Sequence, residues 1–198
     1  MATWLYDFWK FFAAWVLGFI DPFKPYGTRL FEALARLTIG LAFEAACVRR
    51  LPGTGKIQVA LARRAAKESF APNAWHFPGT FYRPWETSVD VLKRLARKEF
   101  GWLEFDQAIC VGLFRASKAD MGRERGHTDS ELWLILDPEF GRRVQWFDLD
   151  ALPEGVFYSH QEKLIPEVVG AFLRWEKGGP VAVPKIDVIS PVKPGRAI

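Results

Sequence analysis

The chain has 198 residues, 49% hydrophobic and 25% charged, with 9 Trp and 17 Phe. Such a composition suits one globular domain with an extension and excludes a disordered or low-complexity protein. The net charge of +4 favours anionic partners such as phosphates. Without a dense Lys/Arg run interleaved with aromatics it gives no case for nucleic acid, and none is expected as a partner.

The amino terminus is apolar. Phe11 to Ile20 carries no charge, yet it is only about half a membrane span. Asp7 and Lys10 stand before it in place of a basic cluster, and no small-residue cleavage site follows, so no signal peptide is expected. A cytoplasmic location is the corresponding expectation. As a helix, the segment places Thr3, Asp7, Lys10 and Ala14 on a narrow stripe and aromatic residues nearly everywhere else. Residues 1–20 are therefore expected to be buried against the body of the protein or a second chain, giving a homo-oligomer; a membrane surface is the alternative partner.

The following segments read in order. Asp21 to Gly27 is a hinge, and Thr28 to Leu37 a short helix with Leu30, Phe31, Leu34 and Leu37 on one side. Residues 1–37 thus form a helical extension. Ile39 to Arg49 and Ile57 to Arg63 read as strands, paired as a hairpin around the turn of Leu51 to Lys56. Ala71 to Trp85 is a loop rich in Pro and aromatics. Thr87 to Phe100 is a helix with Thr87 as N-cap, Asp90 completing a box-like start, and Gly101 as terminator. Ala108 to Ala116 and Leu132 to Leu136 are strands joined by a polar loop. Trp146 to Leu152 begins a late connection, and Gln161 to Lys177 is a helix. Residues 38–177 form the domain, and 178–198, with four prolines, an extended tail. Antiparallel strands with helices at fixed places give an α+β class. Cys47 and Cys110 lie in apolar runs and read as buried free thiols, whereas His76, His127 and His160 show no metal-ligand spacing.

The helix from Thr87 to Phe100 carries the chemical signal. At about 100° per residue, Val91, Leu95, Leu92, Ala96, Val89 and Phe100 fill one half of the wheel, and Lys93, Arg97, Asp90, Arg94 and Lys98 the other. Glu99 falls inside the apolar half. A carboxylate there costs several kcal/mol if it is buried without a partner, and sequences break local rules mainly at functional or strained sites.

The run from Trp75 through His76-Phe77-Pro78-Gly79-Thr80 to Glu86-Thr87, and then the helix, resembles the Nudix box G-x5-E-x7-R-E-U-x-E-E-x-G-U, where U is a bulky aliphatic. Without a gap, Glu86, Arg94, Glu99 and Gly101 match; Thr80, Leu95 and Lys98 depart. The strand Gln58 to Arg64, and Trp146 to Asp150 followed by Leu152-Pro153, lie where the family has its second strand and late segment.

The resemblance implies a Nudix-type α/β/α sandwich with a mixed sheet over Thr38 to Lys177. It also implies Mg²⁺-dependent hydrolysis of a nucleoside diphosphate linked to another group. Hard cations need several oxygen ligands, which the family supplies as glutamates at helical spacing. Transferred to this chain, Glu86, Arg94 and Glu99 are the catalytic set, with Arg94 holding the loop through Glu86. Glu99, the Gly79 carbonyl and Glu131 are the metal ligands, and Lys98, Arg83 and Trp75 contact the substrate.

The departures alter the chemistry. Leu95 and Lys98 replace carboxylates, and Lys93 to Glu99 holds four basic residues and one acid. Mg²⁺ is therefore expected to bind weakly, and Lys98 to meet phosphate directly as a point charge. Two readings stand: a module that binds a nucleoside-diphosphate-type ligand with weak or lost pyrophosphohydrolase activity, and an active divergent hydrolase. In the second, Asp120, Glu124, Asp129 or Glu131 of the following loop rebuild the metal site. Placing Glu at both 95 and 98 is expected to restore the carboxylates on one helix face.

Overall fold

Strand β1 (Ile39–Arg50) organises the molecule, because its 12 residues are long enough to pair with three other strands. In the computed structural model, which describes residues 2–21, 27–35, 38–68, 70–115, 127–141, 143–181 and 188–189, residues 39–47 of β1 run parallel to β7 (His127–Leu136). On its other edge β1 pairs first with β4 (Gly79–Phe81) and then, from Val48 to Arg50, with β2 (Ile57–Arg63). The sequence-read hairpin is thus present, with Val48 opposite Val59.

Beyond β7 lie β6 (Gln107–Arg115) and then β10 (Val188–Ile189), both antiparallel. Beyond β2 lie β3 (Trp75–His76) and β9 (Val144–Asp148), also antiparallel. A separate two-stranded ribbon joins β5 (Leu103–Glu104) to β8 (Glu139–Phe140). One parallel pair among antiparallel ones makes the sheet mixed, as expected.

Period-two alternation divides the core between the two faces of the sheet. On β7, Leu132, Leu134 and Leu136 belong to a cluster with Val168 and Phe172 of helix α4 (Ile165–Glu176). Trp133 and Ile135 belong to the opposite cluster, with Val91, Leu92 and Leu95 of α3 (Ser88–Leu95). Phe43 stacks on Trp133 in this second layer, ring centroids 5.3 Å apart. Helices therefore cover both faces, which is the sandwich expected. Cys47 and Cys110 are buried and unbridged, and burial pushes both thiols above their ordinary range.

Helix α3 begins as the sequence indicates. Thr87 accepts a hydrogen bond from the Asp90 amide, and Asp90 accepts one from the Thr87 amide, a complete capping box. Its end differs from a regular helix. Ala96–Phe100 forms a π-helical turn, closed by Gly101 at φ 84°. One wide turn changes the angular step and re-aims the last residues. A second such turn, His160–Leu164, precedes α4.

Two short helices precede the domain: α1 (Ala2–Leu17) and α2 (Thr28–Ala35). Phe31 of α2 packs on Phe81 at 5.1 Å. The expectation that α1 packs on the body is not met: every described side chain from Asp7 to Phe19 is exposed. Among the described residues no helix is long and apolar enough to cross a membrane.

Leu95 is fully buried between α3 and the sheet. Leu95→Ala is expected to lower unfolding free energy by about 2–5 kcal/mol, measured by urea denaturation. Phe12→Ala on the exposed helix should leave the same quantity unchanged within about 0.5 kcal/mol.

Candidate functional site

The loop between β4 and α3 is fixed by one guanidinium. Arg94 donates to both carboxylate oxygens of Glu86 at 2.8 and 2.7 Å, to the Thr80 hydroxyl at 2.9 Å and to the Phe81 carbonyl at 2.8 Å. Glu86 also accepts from the Arg83 amide at 2.8 Å. The Arg94 hydrogen bonds hold the Glu86 carboxyl below the usual carboxylate range. Neighbouring Trp85 sits at φ 68°, a conformation costly for a bulky side chain, with its indole in solvent. Thr80, where the family pattern has glycine, thus contributes a ligand to Arg94.

Pairing of β4 with β1 places Gly79 opposite Glu44. A Cβ on Gly79 would lie 2.1 Å from Glu44 Oε2, so any side chain there requires the Glu44 carboxylate to move. The Ala45 amide bonds to Pro78 O and the Tyr82 amide to Leu41 O. By antiparallel alternation, Gly79 falls between these bonded pairs, and its carbonyl points off the β1 ladder.

Glu44, Gly79 and the π-helical turn meet at a cavity of about 310 Å³ on the α4 side of the sheet. Lys98 and Glu99 enter it from the turn, Arg115 from the end of β6, and Thr128 and Ser130 from β7. Arg64 and Glu68 lie on the segment after β2, and His160 and Lys163 on the turn before α4. Phe70, Phe81, Phe114 and Phe157 supply apolar wall. Four cations thus face three carboxylates. Lys98 Nζ is 3.2 Å from Glu99 Oε1, Arg64 pairs with Glu68, and Arg115 pairs with Asp129 at 3.2 Å.

His160 is buried, and its Nδ1 accepts the Phe77 amide at 3.1 Å. That bond assigns the proton of the neutral ring to Nε2. Burial, with His76 and Arg64 nearby, lowers its pKa from 6.5 to about 3.

The sequence-derived site residues divide into three groups. Gly79, Lys98 and Glu99 reach the cavity. The π-helical turn moves Glu99 off the apolar side of α3, leaving its side chain 26% exposed beside Lys98 at 67%. Glu86 and Arg94 stand behind the cavity as the loop clamp. Trp75, Arg83 and Glu131 do not line it. Trp75 packs edge-on against Phe147 at 4.8 Å, and the Arg83 amide caps Glu86. Glu131 accepts from Tyr82 Oη and from Trp133 Nε1 at 3.0 Å, on the opposite face of the sheet from Thr128 and Ser130. Period-two alternation turns it there, so the expected grouping of Glu131 with Glu99 and Gly79 does not form. Asp120 and Glu124 lie outside the described residues.

The donor set among the described residues does not fit a Mg²⁺ cluster. Among the described residues no group of three or more Asp, Glu, His or Cys side chains is placed to share an ion. The Glu99 carboxylate already faces an ammonium group. Leu95 has 0% exposure within the core, so a glutamate there would be buried among apolar side chains instead of joining residue 98 at the cavity. Glu44 is the acid on the β1 wall of the cavity that sequence reasoning missed, as it missed Arg115, His160 and Lys163. Its signal was an acid within the apolar run Ala42 to Val48, on the same face as Ala46.

No family model matches the chain, and no curated protein matches it in sequence. Its fold is that of the MutT/Nudix proteins. A MutT/Nudix family protein from Listeria innocua superposes with a TM-score of 0.53 at 16% identity, over 71% of this chain and 98% of that one. A MutT/Nudix family protein from Enterococcus faecalis does so with a TM-score of 0.52 at 17% identity, over 83% of this chain and 68% of that one.

Two measurements check the geometry. Arg94→Ala leaves half-buried Glu86 without its charged partner and is expected to cost about 1.5–3 kcal/mol in urea unfolding. The unfolded chain takes up a proton on His160 below about pH 6.5, whereas the folded chain does so only near pH 3. This residue therefore lowers stability progressively as pH falls through that window. His160→Asn, which keeps an acceptor for the Phe77 amide, should flatten stability against pH between those limits by up to about 1.4 kcal/mol per pH unit.

Proposed function

We propose that the chain is a Nudix-fold module that binds a nucleoside-diphosphate-type ligand in this cavity, with weak or no Mg²⁺-dependent pyrophosphohydrolase activity. The observation that supports this most directly is Lys98 Nζ at 3.2 Å from Glu99 Oε1, at the cavity. An ammonium beside the retained box carboxylate repels a divalent cation, while the same ammonium attracts phosphate. Lys98, Arg115 and Lys163 supply point charges around the cavity, and the phenylalanine walls offer apolar surface for a base or sugar.

Binding needs no step of bond breaking. The phosphates exchange water for the lysine and arginine donors, and His160, neutral with its proton on Nε2, contributes a hydrogen-bond donor without a charge. Arg94 does not touch the ligand; it keeps Gly79 against Glu44 and so holds the cavity wall. The partner class is the one the sequence suggests, a nucleotide or other diphosphate.

Thermal unfolding with ADP and ADP-ribose tests this, with Mg²⁺ and with a chelator in its place. Stabilisation is expected with the chelator present, rising by about 2.7 kcal/mol at a ligand concentration 100 times Kd. Lys98→Glu is expected to remove most of it. Stabilisation only in the presence of Mg²⁺, or rapid Mg²⁺-dependent hydrolysis lost in Glu99→Gln, would overturn the proposal in favour of the divergent hydrolase.

A further inference from the structure

Helix α1 presents a surface of a kind that water does not tolerate at this size. Phe11 and Phe19 are 73% and 74% exposed, and Phe8, Trp9, Phe12, Trp15, Val16 and Leu17 are exposed with them. At 100° per residue, the described side chains from Phe11 round to Leu17 sweep about 240° of the circumference. Asp7 and Lys10 occupy the remaining stripe, where they pair with each other at 3.4 Å. The described part of the helix therefore has no net charge to offer a partner. Phe8, Trp9 and Phe12 pack edge to edge along it, as do Trp15 and Phe19, so the aromatic surface is preformed.

Geometry narrows the occupant. A second copy of α1 laid alongside would cover roughly a third of a cylinder about 10 Å wide and 24 Å long. That is roughly 300 Å² per chain, against the ~800 Å² per partner of a standard stable interface. Most of the aromatic ring would stay wet. The same length of about 24 Å falls short of the ~30 Å hydrocarbon core, so the helix does not span a bilayer. An arc this wide, rich in Trp and Phe and interrupted by one polar stripe, matches a helix lying in the plane of a bilayer. Its rings would sink into the acyl boundary, with the indole N–H groups at headgroup level.

We propose that α1 anchors the protein to a lipid bilayer surface, lying in the interface plane. Because Asp7 and Lys10 neutralise each other, recognition is apolar and needs no anionic lipid. The anchor is independent of the cavity chemistry, since every described side chain of α1 from Asp7 onward is exposed and none lines the cavity.

Flotation of the full-length protein with vesicles of pure phosphatidylcholine tests it. The protein is expected to float with the vesicles at both ~0.1 and ~1 M salt, because attraction between exposed charges is screened over this range and apolar burial is not. Trp9→Glu combined with Trp15→Glu should reduce partitioning at least about 100-fold with an unchanged Tm, which separates loss of the anchor from loss of the fold. Three outcomes would overturn the proposal. The first is wild-type protein that stays unbound. The second is binding that requires anionic lipid and vanishes at high salt. The third is a double variant that floats as well as the wild type. If the unbound wild type is also an oligomer in lipid-free buffer that the double variant dissociates, the occupant is a second copy of the chain.

Discussion

Four acceptors converge on Arg94, and the rest of the site is arranged around that convergence. The guanidinium is bound by two oxygens of Glu86, the Thr80 hydroxyl and the Phe81 carbonyl. Its planar fork suits such a set, since it offers five donors in fixed directions. The loop contributes little apolar burial of its own. Without the clamp, the short strand β4 would have only a few ladder bonds to hold it against β1. With the clamp, β4 is pinned at both ends: by Arg94 at its far end and by the Pro78 carbonyl on the Ala45 amide at its start. The clamp therefore fixes the backbone position of Gly79 at the cavity wall.

Much of this was legible in the sequence, for reasons that differ by element. The hairpin of β1 and β2 was readable because apolar runs flank a turn with Pro52, Gly53 and Gly55. The start of α3 was readable because capping is local: Thr87 and Asp90 satisfy each other within one turn. Strand β7 was read as beginning at Leu132, whereas it extends back to His127. Those extra residues are polar, and their pairing with the start of β1 on one side and the end of β6 on the other makes them a strand. That partner is far away in sequence, so no local pattern reports it.

The site was legible in its clamp and at one rim. The spacing of Glu86 and Arg94 reflects a loop length, which sequence records directly. The position of Glu99 was misjudged on a regular wheel because the helix widens into a π-helical turn just before it. Glu131 was misplaced because one step along a strand changes the face, and nothing in the residue itself says which face carries the cavity. Glu44 was overlooked although it breaks the apolar pattern of β1. An acid at an inward strand position carries the same warning as the acid at an inward helix position that was noticed.

The contact between Gly79 and Glu44 has an evolutionary corollary. These residues are 35 positions apart, yet their side chains compete for one space: the volume a Cβ on residue 79 would need is held by the carboxylate of residue 44. Related chains should therefore vary the two positions together. A side chain at 79 requires residue 44 either to shorten or to swing its carboxylate aside. Growth at residue 79 alone displaces the carboxylate of residue 44 from the cavity wall, so the two positions are coupled even where the rest of the box has changed.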